Sequence, residues 1–499
     1  MSGSNSIPDR RSFLEAARPG TVVPVRIEFT FDIDTAVTAY AKLRSGPFGF
    51  LLESVEGGER WARYSFLGAE PRAAWRLDGD QIRIWKPGAG WGEPAPTEDP
   101  FAELHTWISR WKPAACEVLP RFWGGVVGYL GYDMVRWLER LPSPPVRDVE
   151  VPDACFLATD RVLILDNLFS RASAVRSVCI PSDEPLDRDA LGALYDAAVV
   201  SLEEWIERLA TPAPLRPLTL DPGHEVGVKG NRTQDDFEAA VGRIREYITA
   251  GDAYQVVLSQ RGEAPMGVDA LDLYRALRMQ NPSPYLFLIE LDGMQLIGSS
   301  PEPLVRVEDG TVTTRPIAGT RRRGLDSGED ERLAVELMED EKERAEHLML
   351  VDLGRNDVSR VAEPGTVRVP RFMQIERFSH VMHLVSEVTG TLRSDCTAMD
   401  ALRACFPAGT LTGAPKVRAM EIIDELEPTR RGPYGGAAGY VAYGAESLDM
   451  AIVIRTILAV GDRAYAQAGA GVVYDSVPAR EWEETREKAR VLLRALAAS

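Results

Sequence analysis

Glu343 and Glu346 stand three residues apart in DEKERAEHLMLVDLGRND, and Glu481 and Glu484 repeat that spacing in PAREWEETREKAR. On a helix each pair shares one face, with Cβ atoms about 5–6 Å apart. Carboxylates so placed repel unless a cation lies between them, and hard oxygen ligands without a Cys or His cluster select Mg²⁺ over zinc. The same spacing suits two solvated helix faces salt-bridged to Lys342, Arg344, Arg486 and Lys488. From spacing alone, that plainer reading is favoured.

Arg455 is harder to dismiss. It interrupts the apolar run MAIVIRTILAV, where a guanidinium is costly unless paired or bound to an anion. FPAGTLTGAPKVRAMEIIDELEP sets Gly409, Thr410, Thr412, Gly413 and Lys416 just before apolar positions at helical spacing (Val417, Met420, Ile423, Leu426). Free amides at a helix start beside a lysine can hold a carboxylate, and a tight turn needing glycine explains the segment equally well. The small residues of QAGAGVVYDS let backbone amides approach a ligand or let a buried strand pack closely. The arginines of RPIAGTRRRG read as a solvated loop, and His383, Gln255 and Glu302 are weak signals singly.

The elements that must position these residues follow from pattern. Strands are expected at Val22–Phe31, Phe48–Glu53, Gln81–Trp85, Arg161–Asp166 and Ala253–Arg261, and helices at Thr35–Leu43, Asp99–Arg110, Asp189–Leu209 and Thr233–Ala250. Asp292-Gly293 and Asp309-Gly310 predict hairpins. One long charged helix is expected from about Gly328 to Leu353, and another from Pro478 to the C-terminus. Prolines 212, 214, 217 and 222 mark an extended connection, dividing an N-terminal region, 1–225, from a catalytic region, 226–499, whose lobes are expected to interleave. The fold class expected is α+β.

Composition removes several classes. A formal charge of 57 − 75 = −18, spread along 499 residues, argues against nucleic acid as a partner. It leaves room for a small anion, since exposed charges beyond about 8 Å are screened at physiological salt. Five cysteines at wide spacings, with no Cys-x-x-Cys, fit a reducing cytoplasm, and no apolar run suggests a membrane span or a secretory leader. Phosphate loops, H-E-x-x-H and G-x-S-x-G are absent.

Taken in order, GDAYQVVLSQR, NPSPYLFLIEL, IGSSPEPLV, RPIAGTRRRG, EHLMLVDLGRND, SHVMHLVSEVTG, GTLTGAPKVRAMEIIDELEP, RRGPYGGAAGY, DMAIVIRTI and QAGAGVVYDSVPAREWEET resemble the chorismate-utilising enzymes. Among these the likeness is greatest to anthranilate synthase large subunits. It is dense from Thr233 onward and reaches the first region through LLES (51–54), SFLG (65–68) and GYLGYDMVR (128–136). It implies two large packed antiparallel β-sheets surrounded by helices.

It also implies a site. Glu346 and Glu484 would hold Mg²⁺ with Glu343 and Glu481 nearby, reversing the plainer reading, and the metal would hold the ring carboxylate of chorismate. Tyr434, Arg455 and the backbone of Gly469, Ala470 and Gly471 would bind the pyruvyl carboxylate, with Gly319, Thr320 and Lys416 also at the substrate and Thr410 alongside. Glu302 would be the general acid for the departing 4-hydroxyl, requiring an upward pKa shift, and His383 would assist pyruvate loss. Gln255 stands where isochorismate and salicylate synthases carry a water-activating Lys, and Ala318 where aminodeoxychorismate synthases typically carry a nucleophilic Lys. Ammonia attack at C2 is the expected chemistry, with the ammonia drawn from a separate glutamine amidotransferase subunit in a hetero-oligomer. Tryptophan feedback would use Leu52, Glu53, Ser54, Pro284, Tyr285, Leu286 and Tyr440. Aminodeoxychorismate synthase activity, or a silent subunit that only regulates an amidotransferase, remain alternatives.

Overall fold

Local chemistry sets most element ends. Thr233 opens the Gln234–Ala250 helix through a capping box with Asp236, and Gly251 closes it at φ 89°, a left-handed turn that costs a residue without Cβ little. Asp292-Gly293 joins Tyr285–Leu291 to Met294–Ser300, and Asp309-Gly310 joins Pro303–Glu308 to Thr311–Thr314, both as antiparallel hairpins. The computed structural model describes residues 6–54, 63–115, 119–183, 186–219, 226–378 and 381–497.

The expected single helix from Gly328 to Leu353 is instead two, Ser327–Glu339 and Glu341–Ser359. Between them Asp340 accepts hydrogen bonds from the Lys342 and Glu343 amides at 3.0 and 3.1 Å. A carboxylate in the capping position starts a new helix within a run of helical composition. Glu343 therefore lies in a first turn, where a negative charge is stabilised.

The described strands form sheets of 14 and 13 strands. In the first, Thr21–Thr30, Arg171–Cys179, Arg161–Asp166, Tyr64–Ala69 and Phe48–Glu53 lead into Tyr285–Leu291, Met294–Ser300, Thr456–Val460, Arg463–Val472 and Gln255–Pro265. The second runs from Ile317–Arg322 and Val381–Thr391 through Pro303–Glu308, Leu448–Ile452 and Ala437–Ala442 to Gly125–Leu130, Ala154–Thr159 and Ala73–Asp78. Each sheet takes strands from both sides of the Pro-rich stretch. Phe50, Phe66 and Phe287 of the first sheet meet Val127, Leu157 and Tyr440 of the second in a shared core. Helices cover the outer faces around Tyr40, Trp205 and Tyr274 on one side and Phe101 and Leu402 on the other. The fold is α+β as expected, and among the described residues no helix is long and apolar enough to cross a membrane.

The apolar run around Arg455 is not one strand. Leu448–Ile452 belongs to the second sheet and Thr456–Val460 to the first, and Arg455 sits between them at φ 47°. A second crossover runs beside it, from Met294–Ser300 to Pro303–Glu308, because these four strands pair two by two. Ser299 N donates to Arg455 O at 3.1 Å and Ile452 N to Glu302 O at 3.0 Å, stitching the crossovers together.

Candidate active site

Glu302 and Arg455 thus share one place, set by topology. Glu302 is 8% exposed. Burial pushes its carboxyl up to about 8, and the neighbouring Thr410 offsets this only in part; the Thr410 hydroxyl makes no hydrogen bond of regular geometry. At neutral pH the carboxyl keeps its proton and can donate it. Arg455 is drawn down by desolvation. It donates to Asn281 Oδ1 at 3.2 Å and forms no ion pair among the described residues.

The turn bearing Tyr434 is tied to the same crossover: Gly435 N donates to Val453 O, and Val453 N to Gly436 O, both at 2.9 Å. A Cβ on Gly469 would lie 2.8 Å from the Tyr434 hydroxyl, and one on Gly471 2.4 Å from Gln255 Nε2. At 469 a side chain would press on the Tyr434 hydroxyl, at 471 it would push the end of the Gln255 side chain aside, and Ala470, fully buried, lies between them in the strand.

His383 Nδ1 is 3.1 Å from the Gly319 carbonyl and 3.0 Å from Thr320 Oγ1. Donation to the carbonyl leaves Nε2 as the lone-pair nitrogen. Burial, with the Arg455 charge adding to it, holds the ring down to about 4, so it is neutral at pH 7.

The carboxylates meet on the other side of Gln255. Its amide donates to Glu346 Oε1 at 3.2 Å, and Glu346 is raised by burial and by repulsion from Glu343 and Glu484. Glu481 is raised by burial and further by Glu484. Arg321 clamps Glu343 at 3.2 Å, and Lys488 Nζ pairs with Glu484 at 2.7 Å while donating to Gly469 O at 3.0 Å. Among the described residues no three acidic, His or Cys side chains converge as a ready-made metal cage. Mg²⁺ characteristically takes one or two carboxylates and completes its shell with water and ligand oxygens, so the oxygen donors and their mutual repulsion fit that ion.

Two contributors, Arg321 and His347, were not read as part of the site, and a third, Lys488, was read only as a salt-bridge partner of its helix face. Arg321 comes from the expected solvated loop, in fact the strand Ile317–Arg322. Lys488, four residues past Glu484 on the Pro478–Leu496 helix, had a legible i,i+4 signal. His347, fully buried beside Glu346, bonds Ser386 Oγ at 2.6 Å and pins the Glu341–Ser359 helix to the strand carrying His383. Lys416 is tied to Asp357, which lines one cavity with Glu302 and Thr410. Its ammonium is held by both Asp357 oxygens at 2.9 and 2.8 Å.

A family model described as chorismate binding enzyme matches residues 53–494. The chain belongs to the chorismate-binding enzymes. Within this family, anthranilate synthase component 1 of Pseudomonas aeruginosa is 48% identical over 495 residues, 98% of each chain. That of Aquifex aeolicus is 44% identical, covering 95% of this chain and 94% of its own length. The solved anthranilate synthase component I of Streptococcus pneumoniae superposes with a TM-score of 0.75 at 37% identity, over 93% of this chain and 98% of that one. The menaquinone-specific isochorismate synthase of Escherichia coli, at 20% identity and TM-score 0.69 over 97% of both chains, shares the fold.

In this chorismate-binding enzyme the residues expected to bind tryptophan divide between two faces. Leu52 and Tyr440 line the core between the sheets with Phe66 and Phe122, and Tyr285 reaches across to Asp449 at 2.9 Å. Glu53 turns the other way, accepting from Tyr274 at 2.6 Å and pairing with Arg278 at 3.2 Å, and Leu286 packs into the core under the helices. Strand alternation separates them. Ser54 follows the end of the strand Phe48–Glu53, and Pro284 is buried just before Tyr285.

Proposed function

We propose that the chain catalyses the reaction of anthranilate synthase component 1, converting chorismate and ammonia to anthranilate and pyruvate. The observation that carries this reading is Glu302, a buried carboxyl that keeps its proton at neutral pH, on the crossover stitched to the one that bears Arg455, a desolvated guanidinium without an acid partner among the described residues. Arg455, Tyr434 and the amides of Gly469–Gly471 bind the pyruvyl carboxylate. Glu302 protonates the departing 4-hydroxyl as ammonia bonds to C2. His383, neutral with a free Nε2, accepts a proton during the loss of pyruvate.

Gln255 supports amination over hydration: an amide donating to Glu346 cannot deprotonate water. Ala318 offers no amine for covalent attack. Glu346 and Glu484 would hold Mg²⁺, with Glu343 and Glu481 nearby, and when bound the ion supplies the positive charge that the ring carboxylate needs beside four glutamates. Ammonia would come from a separate glutamine amidotransferase subunit, and tryptophan would inhibit by binding around Leu52, Ser54, Tyr285 and Tyr440 in a cytoplasmic hetero-oligomer.

Product analysis tests the reading. Chorismate, MgCl₂ and ammonium salt should yield fluorescent ortho-aminobenzoate and pyruvate. A 4-amino-4-deoxy product, or chorismate binding without turnover, would overturn it.

A further inference from the structure

An acid that gives up its proton once per turnover must be given another, and Glu302 sits where a lingering negative charge is costly. In the proposed reaction the ring being aminated covers Glu302 on the side of Arg455, so the next proton needs a different approach. A cavity of about 390 Å³, mouth included, offers one: its lining shares only Glu302 and Thr410 with the expected substrate contacts. The rest of the wall comes from Thr314 to Pro316, from the Glu341–Ser359 helix between Leu350 and Asp357, and from the turn before Thr410. At about 30 Å³ each, several waters fit.

The polar groups on this wall are few and suited to water. The hydroxyl oxygens of Thr314 and Thr410 are both buried and have no partner among the described residues. Two such hydroxyls and two carboxyls, Glu302 and Asp357, on one cavity supply the two to four polar contacts that an ordered water needs. Arg315 is drawn off by Glu376. Asp357 faces the cavity and Lys416 together, with both its oxygens held by the ammonium at 2.9 and 2.8 Å. Burial raises its carboxyl, and the charges of Lys416 and Arg360 offset this in part, so it takes up a proton more readily than an exposed aspartate does. Cys405, also on the wall, has its thiol pushed up by burial and is too weak an acid to supply a proton near neutrality.

We propose that this cavity carries a short chain of waters that returns a proton to Glu302 after each turnover, with the Thr314 and Thr410 hydroxyls as its stations and the Asp357–Lys416 pair as its outer end. The proposal rests on the acid role of Glu302. Once Glu302 has protonated the 4-oxygen, which leaves as water, the Lys416 ammonium passes a proton to Asp357, Asp357 to a cavity water and that water to Glu302; Lys416, its side chain 16% exposed, takes its replacement from solvent. Asp357→Asn removes the carrier, and Thr314→Val removes a station at equal size. Stopped-flow fluorescence of ortho-aminobenzoate, with the full chain, chorismate, MgCl₂ and one fixed ammonium concentration, separates the first turnover from the steady state. Glu302 starts protonated, so the first turnover should stay within about twofold of wild type in both variants. The steady-state rate should fall about tenfold in Asp357→Asn and by a smaller factor in Thr314→Val, less than the ~10²–10⁴ that loss of the acid itself costs. A wild-type ratio of steady state to first turnover in both variants, whether neither rate moves or both fall together, overturns the relay. If Asp357→Asn does not fold because Lys416 is left without its partner, Thr314→Val decides. Glu302→Gln separates the two readings: an unchanged first turnover there takes down the acid and the relay together, whereas a slowed one beside variants that turn over like wild type refutes the relay alone.

Discussion

Arg431 is buried and Arg455 partly buried, and their surroundings differ in kind. Arg431 bonds Glu427 at 2.7 and 2.8 Å, the Leu411 carbonyl at 2.6 Å and the Val257 carbonyl at 2.9 Å, and lies 4.7 Å over the Tyr132 ring. Glu427 in turn accepts from the amide and hydroxyl of Ser259. Arg455 has one neutral acceptor, Asn281. A saturated guanidinium fixes the chain around it, whereas one with donors to spare can take up a carboxylate from outside, the role proposed for Arg455. The count of satisfied donors is what distinguishes the two guanidinium groups most sharply.

The difference can be broken most sharply at Glu302, which shares the crossovers with Arg455. Glu302→Gln should lower kcat by about 10²–10⁴ with little change in the denaturation midpoint. In the unsubstituted enzyme the acid must be protonated, so kcat should fall as pH rises through about 8, and the variant should lose that alkaline limb. A retained limb would assign it to another group. Glu427→Gln should act oppositely, costing about 3–5 kcal/mol in a denaturant titration because Arg431 is left buried and uncompensated. Arg455→Met should cost no stability and raise KM for chorismate by about 10- to 100-fold, the worth of a charge-assisted hydrogen bond. If Arg455→Met unfolds the chain as readily as Glu427→Gln does, the contrast is wrong. Glu484→Gln should weaken Mg²⁺ binding, followed by calorimetry without substrate, by about 10-fold.

Hairpins, caps and most strand limits were legible because they rest on neighbours in the chain: Asp-Gly turns, Thr233 with Asp236, Pro478. Apart from Arg455, which its apolar surroundings singled out, the candidate site was assembled through the resemblance, since its residues come from separate crossovers, helices and strands. The crossover at Arg455 was hidden because strands on both sides of it are buried on both faces and read as one apolar run. Asp340 was hidden because charged residues on either side favour helix equally. Arg321 reads as a loop arginine until Glu336, Asp340 and Glu343 come within reach through tertiary folding. The opposite aims of Leu52 and Glu53 follow from strand alternation and could have been read directly.

Tyr285 pairs directly with Ser300, two residues before Glu302. Its hydroxyl holds Asp449, on the strand that runs on into Arg455. A single residue thus touches both crossovers, one through its backbone ladder and the other through its hydroxyl.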